Sequence, residues 1–288
     1  MTTPAAPRVS VIIPSYNAEA FLPDAVKSVL HQSWRELELI IVNDGSTDAT
    51  MSLAEQLSQD DGRVKIVDKP NGGLSSARNA GIAAASGDAI CFLDADDVFL
   101  PDKVERQVQF LDQFPGCDLV YSDYYIGDIA LTPIWLESVR PAMAKMDEYL
   151  LYRNGFAPLC PLLRSRLVAA TGEFDETLRA AEDWDYWIRA AQHGRFCYLP
   201  GAVGVYRTHP GQMHHDRRRM RSGGRRVAEK NFPRGSRQWR TLMASQAWTE
   251  RREQSGVRRL MLVPVKLAQA GFIARSPRIL RNVVRLAA

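Results

Sequence analysis

Short apolar runs alternate with helical stretches through the first 125 residues. Residues 9–13 form an apolar, β-branched run that ends at Pro14. Residues 19–32 then place Phe21, Ala25, Val29 and Leu30 at the spacing of one helical face. A second apolar strand over 37–42 closes on Asn43-Asp44-Gly45. A helix is expected from about Thr47, with Ser46 or Thr47 as its N-cap. A strand at 63–67, a helix at 74–85 stopped by Gly87, and a strand at 89–93 continue the series. Strands apolar on both faces and separated by helices predict an α/β protein with a doubly wound, mainly parallel sheet.

Beyond residue 100 the alternation weakens. A helix at 103–114 and a strand at 117–125 are expected, and 126–180 reads as irregular apart from a helix near 145–152. A helix over 182–193 spaces Trp184, Trp187, Ile188 and Ala191 to face inward, and 196–199 and 203–207 read as two closing strands.

Ligands of an open parallel sheet sit at the carboxyl ends of its strands. The residues there are Pro14-Ser15-Tyr16-Asn17, the turn from Asn43 to Asp48, and Asp94-Ala95-Asp96-Asp97. No G-x-G-x-x-G follows the first strand, and no P-loop or G-x-S-x-G occurs. Three carboxylates packed into one turn repel unless a cation or a donor compensates them. Oxygen ligands favour Mg²⁺ or Mn²⁺, and Mg²⁺ completes its shell from phosphates and water, so the turn suits a metal-bound diphosphate. It suits equally a solvated loop whose aspartate caps the next helix. Asp44 is either ordinary turn chemistry or an acceptor for a base N–H. Arg78, between Gly72-Gly73 and Gly81, is either a bidentate phosphate ligand or a surface arginine.

Composition adds a division of charge. Apolar residues make up 45 % of the 288, enough for a core, which excludes a disordered chain. Residues 1–211 hold 18 Lys/Arg against 29 Asp/Glu, and residues 212–288 hold 19 against 4. An acidic body thus joins a basic tail, which is expected to meet something anionic. Residues 217–226 (RRRMRSGGRR) read as a solvated, flexible segment. Further on, Ser276-Pro277 open a helix with Arg278, Arg281 and Arg285 on one face and Ile279, Leu280, Val283 and Val284 on the other. That is the pattern of an interfacial helix, or of one packed on the body or on another subunit. The longest charge-free stretch, 196–206, is too short to span a bilayer. The four cysteines lack C-x-x-C spacing and read as buried free thiols of a reducing cytoplasm.

Five segments occur in order: VSVIIPSYN (9–17), ELIIVNDGSTD (38–48), NGGLSSARNAGIAAASG (71–87), AICFLDADD (89–97) and AEDWDYW (181–187). Together they resemble the family 2 glycosyltransferases, over about residues 8–210. The resemblance implies the GT-A fold: a catalytic domain at 1–211, with its nucleotide part at about 8–125 and its acceptor part at 126–211. The basic, mostly helical extension at 212–288 lies outside it. It implies an inverting transferase using a nucleotide-diphosphate sugar, most often a UDP-sugar, and Mn²⁺ or Mg²⁺. Pro14, Tyr16 and Asn17 then belong to the nucleotide pocket, Asp44 bonds the base, and Arg78 lies near the nucleotide or its diphosphate. Asp94 contacts the ribose with Ala95 beside it, and Asp96 ligates the metal. Asp183 is the catalytic base, with Glu182 orienting it or bonding the acceptor. A histidine at the position of His209 either approaches the diphosphate or metal or is a plain loop residue. The implied partners are the donor, a glycan or lipid-linked acceptor in cell-surface or polysaccharide assembly, and an anionic inner membrane face met by the tail. A homo-oligomer stays open. Two other classes compete: a nucleotide-sugar-binding relative without catalysis, and a nucleic-acid binder acting through the tail. Few aromatics are interleaved with the arginines, which argues against nucleic acid.

Overall fold

The computed structural model describes residues 8–139, 149–151 and 153–254. Strand β1 (Val9–Ser15) is buried along its whole length and lies between β2 (Leu37–Asp44) and β4 (Ala89–Phe92), parallel to both. β3 (Val64–Lys69) adds in parallel on the outer side of β2. Helices α1 (Leu22–Leu30), α2 (Thr50–Asp60) and α3 (Leu74–Ala84) are the crossovers, as both-face-apolar strands require. Pro14 sits inside this ladder without losing a bond. The Ile12 carbonyl accepts from Leu93 N–H just after β4, so Pro14, facing the same way, lies beyond the last residue paired with β4. A Cβ on Gly81 would run into Ile12, so this glycine lets α3 lie close against β1.

The second half of the sheet is mixed. The strand order is β3-β2-β1-β4-β8-β6-β9-β5, with β7 paired to β6. β8 (Leu162–Arg164) runs antiparallel between β4 and β6 (Leu119–Gly127). β9 (Phe196–Arg207) runs parallel to β6, and β5 (Val98–Phe99) antiparallel to β9. The last pairing carries the Asp94–Asp97 turn to the end of β9. Helix α4 (Lys103–Gln113) packs behind β6, and α5 (Ser165–Thr171) leads on to α6 (Glu182–Ala190).

Several expectations change. Helix α2 begins at Thr50 because the Asp48 carboxylate, not Ser46 or Thr47, accepts from the Thr50 N–H. The two closing strands are one: the kink at Pro200-Gly201 is absorbed by Asp123 of β6, which accepts from Gly201 N–H and Tyr198 O–H. The stretch read as irregular holds β7 (Pro133–Glu137), β8 and α5, all too short to show a period. Not all four cysteines are free. Cys91 and Cys160 are buried thiols, but Cys117 and Cys197 pair, with Cα atoms 6.1 Å apart. The β6–β9 register brings them together, and a separation of 80 residues hid that from the sequence. The arginine run is not a flexible tail. It lies in helix α7 (Arg217–Asn231), capped by Asp216, which accepts from Arg219 N–H. α7 packs on α8 (Arg237–Gln254), and Val227, Ala228 and Leu242 join the same buried cluster as Trp187. The segment 276–285 and most of the helix expected near 145–152 lie outside the described residues. Among the described residues no helix is long and apolar enough to cross a membrane.

Candidate active site

The strand-end turns form two bonded sets. In the first, Asn17 adopts a left-handed backbone (φ 48°), and its side-chain oxygen accepts from Thr47 N–H at 2.8 Å. The turn after β1 is thereby latched to the turn after β2, and Tyr16 is left exposed beside it. Asp44 is buried. One carboxylate oxygen accepts from Lys69 Nζ (2.6 Å) and Gly72 N–H (2.9 Å), and the other from Gly73 N–H (2.8 Å). A base N–H bonded by Asp44 therefore joins an occupied carboxylate rather than meeting a free one. Gly73, at φ 89°, closes this loop over Asp44 and opens α3.

Helix α3 carries Arg78, buried, into the second set. Its Nη2 donates to Asp94 Oδ1 at 2.8 Å and its Nη1 to Glu182 Oε1 at 2.9 Å. The guanidinium lies 5.3 Å from the Phe174 ring centroid. The sequence offered a phosphate ligand or a surface arginine; the structure shows a buried clamp between the turn after β4 and the start of α6. The charge is held firmly, because the neighbouring Asp94, Glu182 and Asp183 raise the Arg78 pKa against its burial. Asp94 is itself raised, burial outweighing Arg78.

The rest of the turn is tied to the end of β9. Ala95 is buried, and Asp97, fully buried, accepts from Arg207 N–H at 2.9 Å. The Arg207 side chain donates to the Asp96 carbonyl (2.6 Å) and to Asp24 (2.8 Å). Burial, with Asp96 and Asp94 close by, pushes Asp97 well above the usual carboxylate range. Asp96 stays half-exposed, with Oδ2 3.0 Å from His209 Nε2 and 3.2 Å from Gln212 Nε2. The His209 ring lies on Phe21, with centroids 4.7 Å apart.

A divalent ion fits this pair. Asp96 Oδ2 and His209 Nε2, 3.0 Å apart, bring a carboxylate oxygen and an imidazole nitrogen together, donor types that Mn²⁺ accepts. Among the described residues no three His, Cys, Asp or Glu side chains converge on one point. The remaining positions then fall to phosphate and water, the usual shell of Mg²⁺.

At the start of α6, Ala181 takes a left-handed backbone (φ 60°) and turns Glu182 and Asp183 in different directions. Glu182 goes to Arg78. Asp183 accepts from Asn154 Nδ2 (2.6 Å) and from Trp184 N–H (2.8 Å). Burial, and then the Glu182 charge, push its carboxyl up to about 7 against the pull of Arg78. A carboxylate poised there takes and gives a proton near neutrality.

Sequence reasoning missed Asn154 and Gln212 and gave Arg207 no role. Arg207 ended an expected strand two residues before His209, which was the one available signal. Asn154 stood in a segment without pattern.

Parallel strands wound both ways, a mixed outer half and an acidic turn at the switch point define a glycosyltransferase of the GT-A fold. The structure superposes on Staphylococcus aureus TarS 1–349 in complex with UDP-GlcNAc with a TM-score of 0.65, at 19 % identity, over 87 % of this chain and 76 % of that one. It superposes on the mannosyltransferase PcManGT from Pyrobaculum calidifontis, in complex with GDP-Man and Mn²⁺, with a TM-score of 0.63, at 18 % identity, over 99 % and 85 %. The sequence model described as Glycosyl transferase family 2 matches residues 10–165, and the chain belongs to that family. An uncharacterized glycosyltransferase of Haemophilus influenzae is 30 % identical over 72 % of this chain and 67 % of its own length. Another, EpsJ of Bacillus subtilis, is 31 % identical over 72 % and 63 %. The chain thus spans about two thirds of the length of these curated relatives.

Proposed function

We propose that the protein transfers a sugar from a nucleotide-diphosphate sugar, a UDP-sugar first, to an acceptor hydroxyl with inversion at the anomeric carbon. The observation that carries this reading is Asp183. Its carboxyl is raised to about 7, and it starts the helix whose Glu182 is joined through Arg78 to the Asp94 turn. In an in-line displacement the acceptor oxygen bonds to the anomeric carbon as the bond to the diphosphate breaks. Asp183 accepts the acceptor's proton on the face opposite the leaving group. Asn154 and the Trp184 N–H hold the carboxylate in place, and Arg78 keeps Glu182 from competing for that proton. Asp44, Tyr16, Asn17 and Pro14 hold the base, and Asp94 with Ala95 the ribose. Asp96 and His209 hold Mn²⁺ or Mg²⁺, which when bound offsets charge on the departing diphosphate. Bound UDP-GlcNAc and GDP-Man in the similar structures support the donor class.

The acceptor is a glycan or lipid-linked sugar, and residues 255–288 dock on an anionic inner membrane face. That segment carries seven basic residues and no acidic one. Vesicle flotation of the full chain against a chain ending at residue 254 checks the docking, and equal weak binding overturns it. The donor reading is checked by thermal shift with UDP-Glc, UDP-GlcNAc, UDP-Gal and GDP-Man, each with and without Mn²⁺. A UDP-sugar is expected to raise the melting temperature most, and only with Mn²⁺. No shift from any of the four overturns the reading.

A further inference from the structure

The basic helix α7 lies along the segment that delivers the proposed base and bonds to it, and to the helix that follows, at several points. The guanidinium of Arg219 donates through Nε and Nη2 to the Arg179 carbonyl, at 2.9 and 2.6 Å. One turn on, Gly223 lies against the backbone of Ala180. A Cβ at Gly223 would stand 2.5 Å from the Ala180 carbonyl oxygen and 2.9 Å from its carbon. Arg226 donates to the Thr177 carbonyl at 3.2 Å. At the C-terminal end, Lys230 Nζ joins Asp175 (2.8 Å) to Asp185 (2.9 Å), and Asn231 Nδ2 bonds the other Asp185 oxygen (2.7 Å). Asp185 is fully buried and lies two residues beyond Asp183.

Two features of this interface have no explanation in helix stability alone. Adjacent glycines in a helix interior weaken it, yet Gly223-Gly224 occupy the middle of α7. Gly223 is the position where any side chain meets backbone, and that backbone belongs to Ala180, immediately before the left-handed Ala181. Carbonyls 177 and 179 belong to a connecting segment rather than to a helix or strand, so they have no ladder partners. The arginines of α7 supply them.

We propose that α7 is a brace for the base: Gly223 and Lys230 are positioning residues that set where α6 begins and hence where the Asp183 carboxylate points. This rests on the assignment of Asp183 as base. It gives at least part of the basic run an internal purpose, in which arginine and lysine heads are used on carbonyls and carboxylates of the same chain. Any truncation that removes α7 therefore removes part of the catalytic apparatus as well as a basic tail.

The test uses full-length Gly223→Ala, Lys230→Met, Lys230→Arg and Asp183→Asn. UDP release is followed from the UDP-sugar that stabilises the parent most, alongside UDP·Mn²⁺ affinity and amide hydrogen exchange over residues 182–190. The brace predicts that Gly223→Ala and Lys230→Met lose about 10- to 100-fold in kcat, as displaced catalytic groups do. Donor KM and UDP affinity should stay within about two-fold, because the bonds named above from α7 end on residues 175–185 and reach the Asp94 turn only by way of Glu182 and Arg78. Exchange over 182–190 should quicken in Lys230→Met, and Lys230→Arg should recover most of kcat. If Asp183→Asn abolishes turnover while Gly223→Ala and Lys230→Met keep parental kcat and exchange, the brace is wrong and the base assignment stands. Equal losses in kcat and UDP affinity show general unfolding and also overturn the brace. Turnover by Asp183→Asn near the parental rate overturns the base assignment itself, and the brace with it.

Discussion

Asp44, at the end of β2, and Asp183, at the start of α6, are compensated to very different degrees. Asp44 receives a lysine and two backbone N–H groups, all within 2.9 Å. Asp183 receives one amide and one N–H, with the like charge of Glu182 beside it. Asp94 lies between the two: Arg78 is aimed at it, yet burial still raises it. Donors around a carboxylate stabilise its charge, which suits the ligand-holding role proposed for Asp44. A buried carboxylate left short of them gains affinity for the proton, which suits the role of base proposed for Asp183. Arg78 divides the two roles, because it neutralises Asp94 and Glu182 while touching neither oxygen of Asp183.

The largest expected effect removes the under-compensated group. Asp183→Asn should lower kcat by about 10³- to 10⁴-fold at unchanged UDP affinity, read by UDP release and calorimetry. The amide fits the site, because Asn154 Oδ1 has no partner and a flip presents it to the new NH₂. In the parent, the base works deprotonated, so turnover should climb as pH rises through about 7 and level above it. Stability should move the other way. A carboxyl whose folded pKa is raised favours the folded state at low pH and loses that contribution as pH rises from its ordinary value through about 7. Asp183→Asn should therefore gain melting temperature over the parent at pH 8 more than at pH 4. Parallel melting curves across that range would contradict this.

Next comes the clamp between the two settings. Arg78→Met leaves Asp94 and Glu182 facing each other without their cation and should cost about 3–5 kcal/mol in urea unfolding. Loss of activity at unchanged stability would show that Arg78 touches ligand rather than holding the site. Smaller again, His209→Ala should weaken Mn²⁺ support of UDP binding by about 10- to 100-fold, measured by Mn²⁺ titration at fixed UDP. An unchanged titration removes His209 from the ion's shell. The smallest effect belongs to the exposed Tyr16. Tyr16→Ala should leave stability within about 0.5 kcal/mol and weaken UDP by about 2- to 10-fold, the value of one ring contact.

The polar turns at the strand ends were legible because their signals are local. Asp44 and the Asp94–Asp97 turn each follow an apolar strand directly, so strand prediction alone places them at the carboxyl edge. The Glu182-Asp183 pair was legible as a motif at a helix start. Arg78 was found as a residue but its protein partners were not, since they lie 16 and 104 residues away. Asn154 and the Cys117–Cys197 pair had no local signature. The arginine run was misread because composition describes a segment's charge and not what that charge meets.

Apolar periodicity by itself determined the parallel half of the sheet, the crossover helices and the order of the polar turns, because burial of strand faces and helix stripes is set within windows of a few residues. Tertiary structure alone decided the antiparallel insertion of β8, the return of β5 onto β9 that joins Asp96 to His209, and the clamp of Arg78. It also decided the seating of α7 on the segment before Asp183. Each of these depends on which distant group reaches a buried charge or an unpaired carbonyl first. That is a question of chain geometry, on which local residue preferences have no bearing.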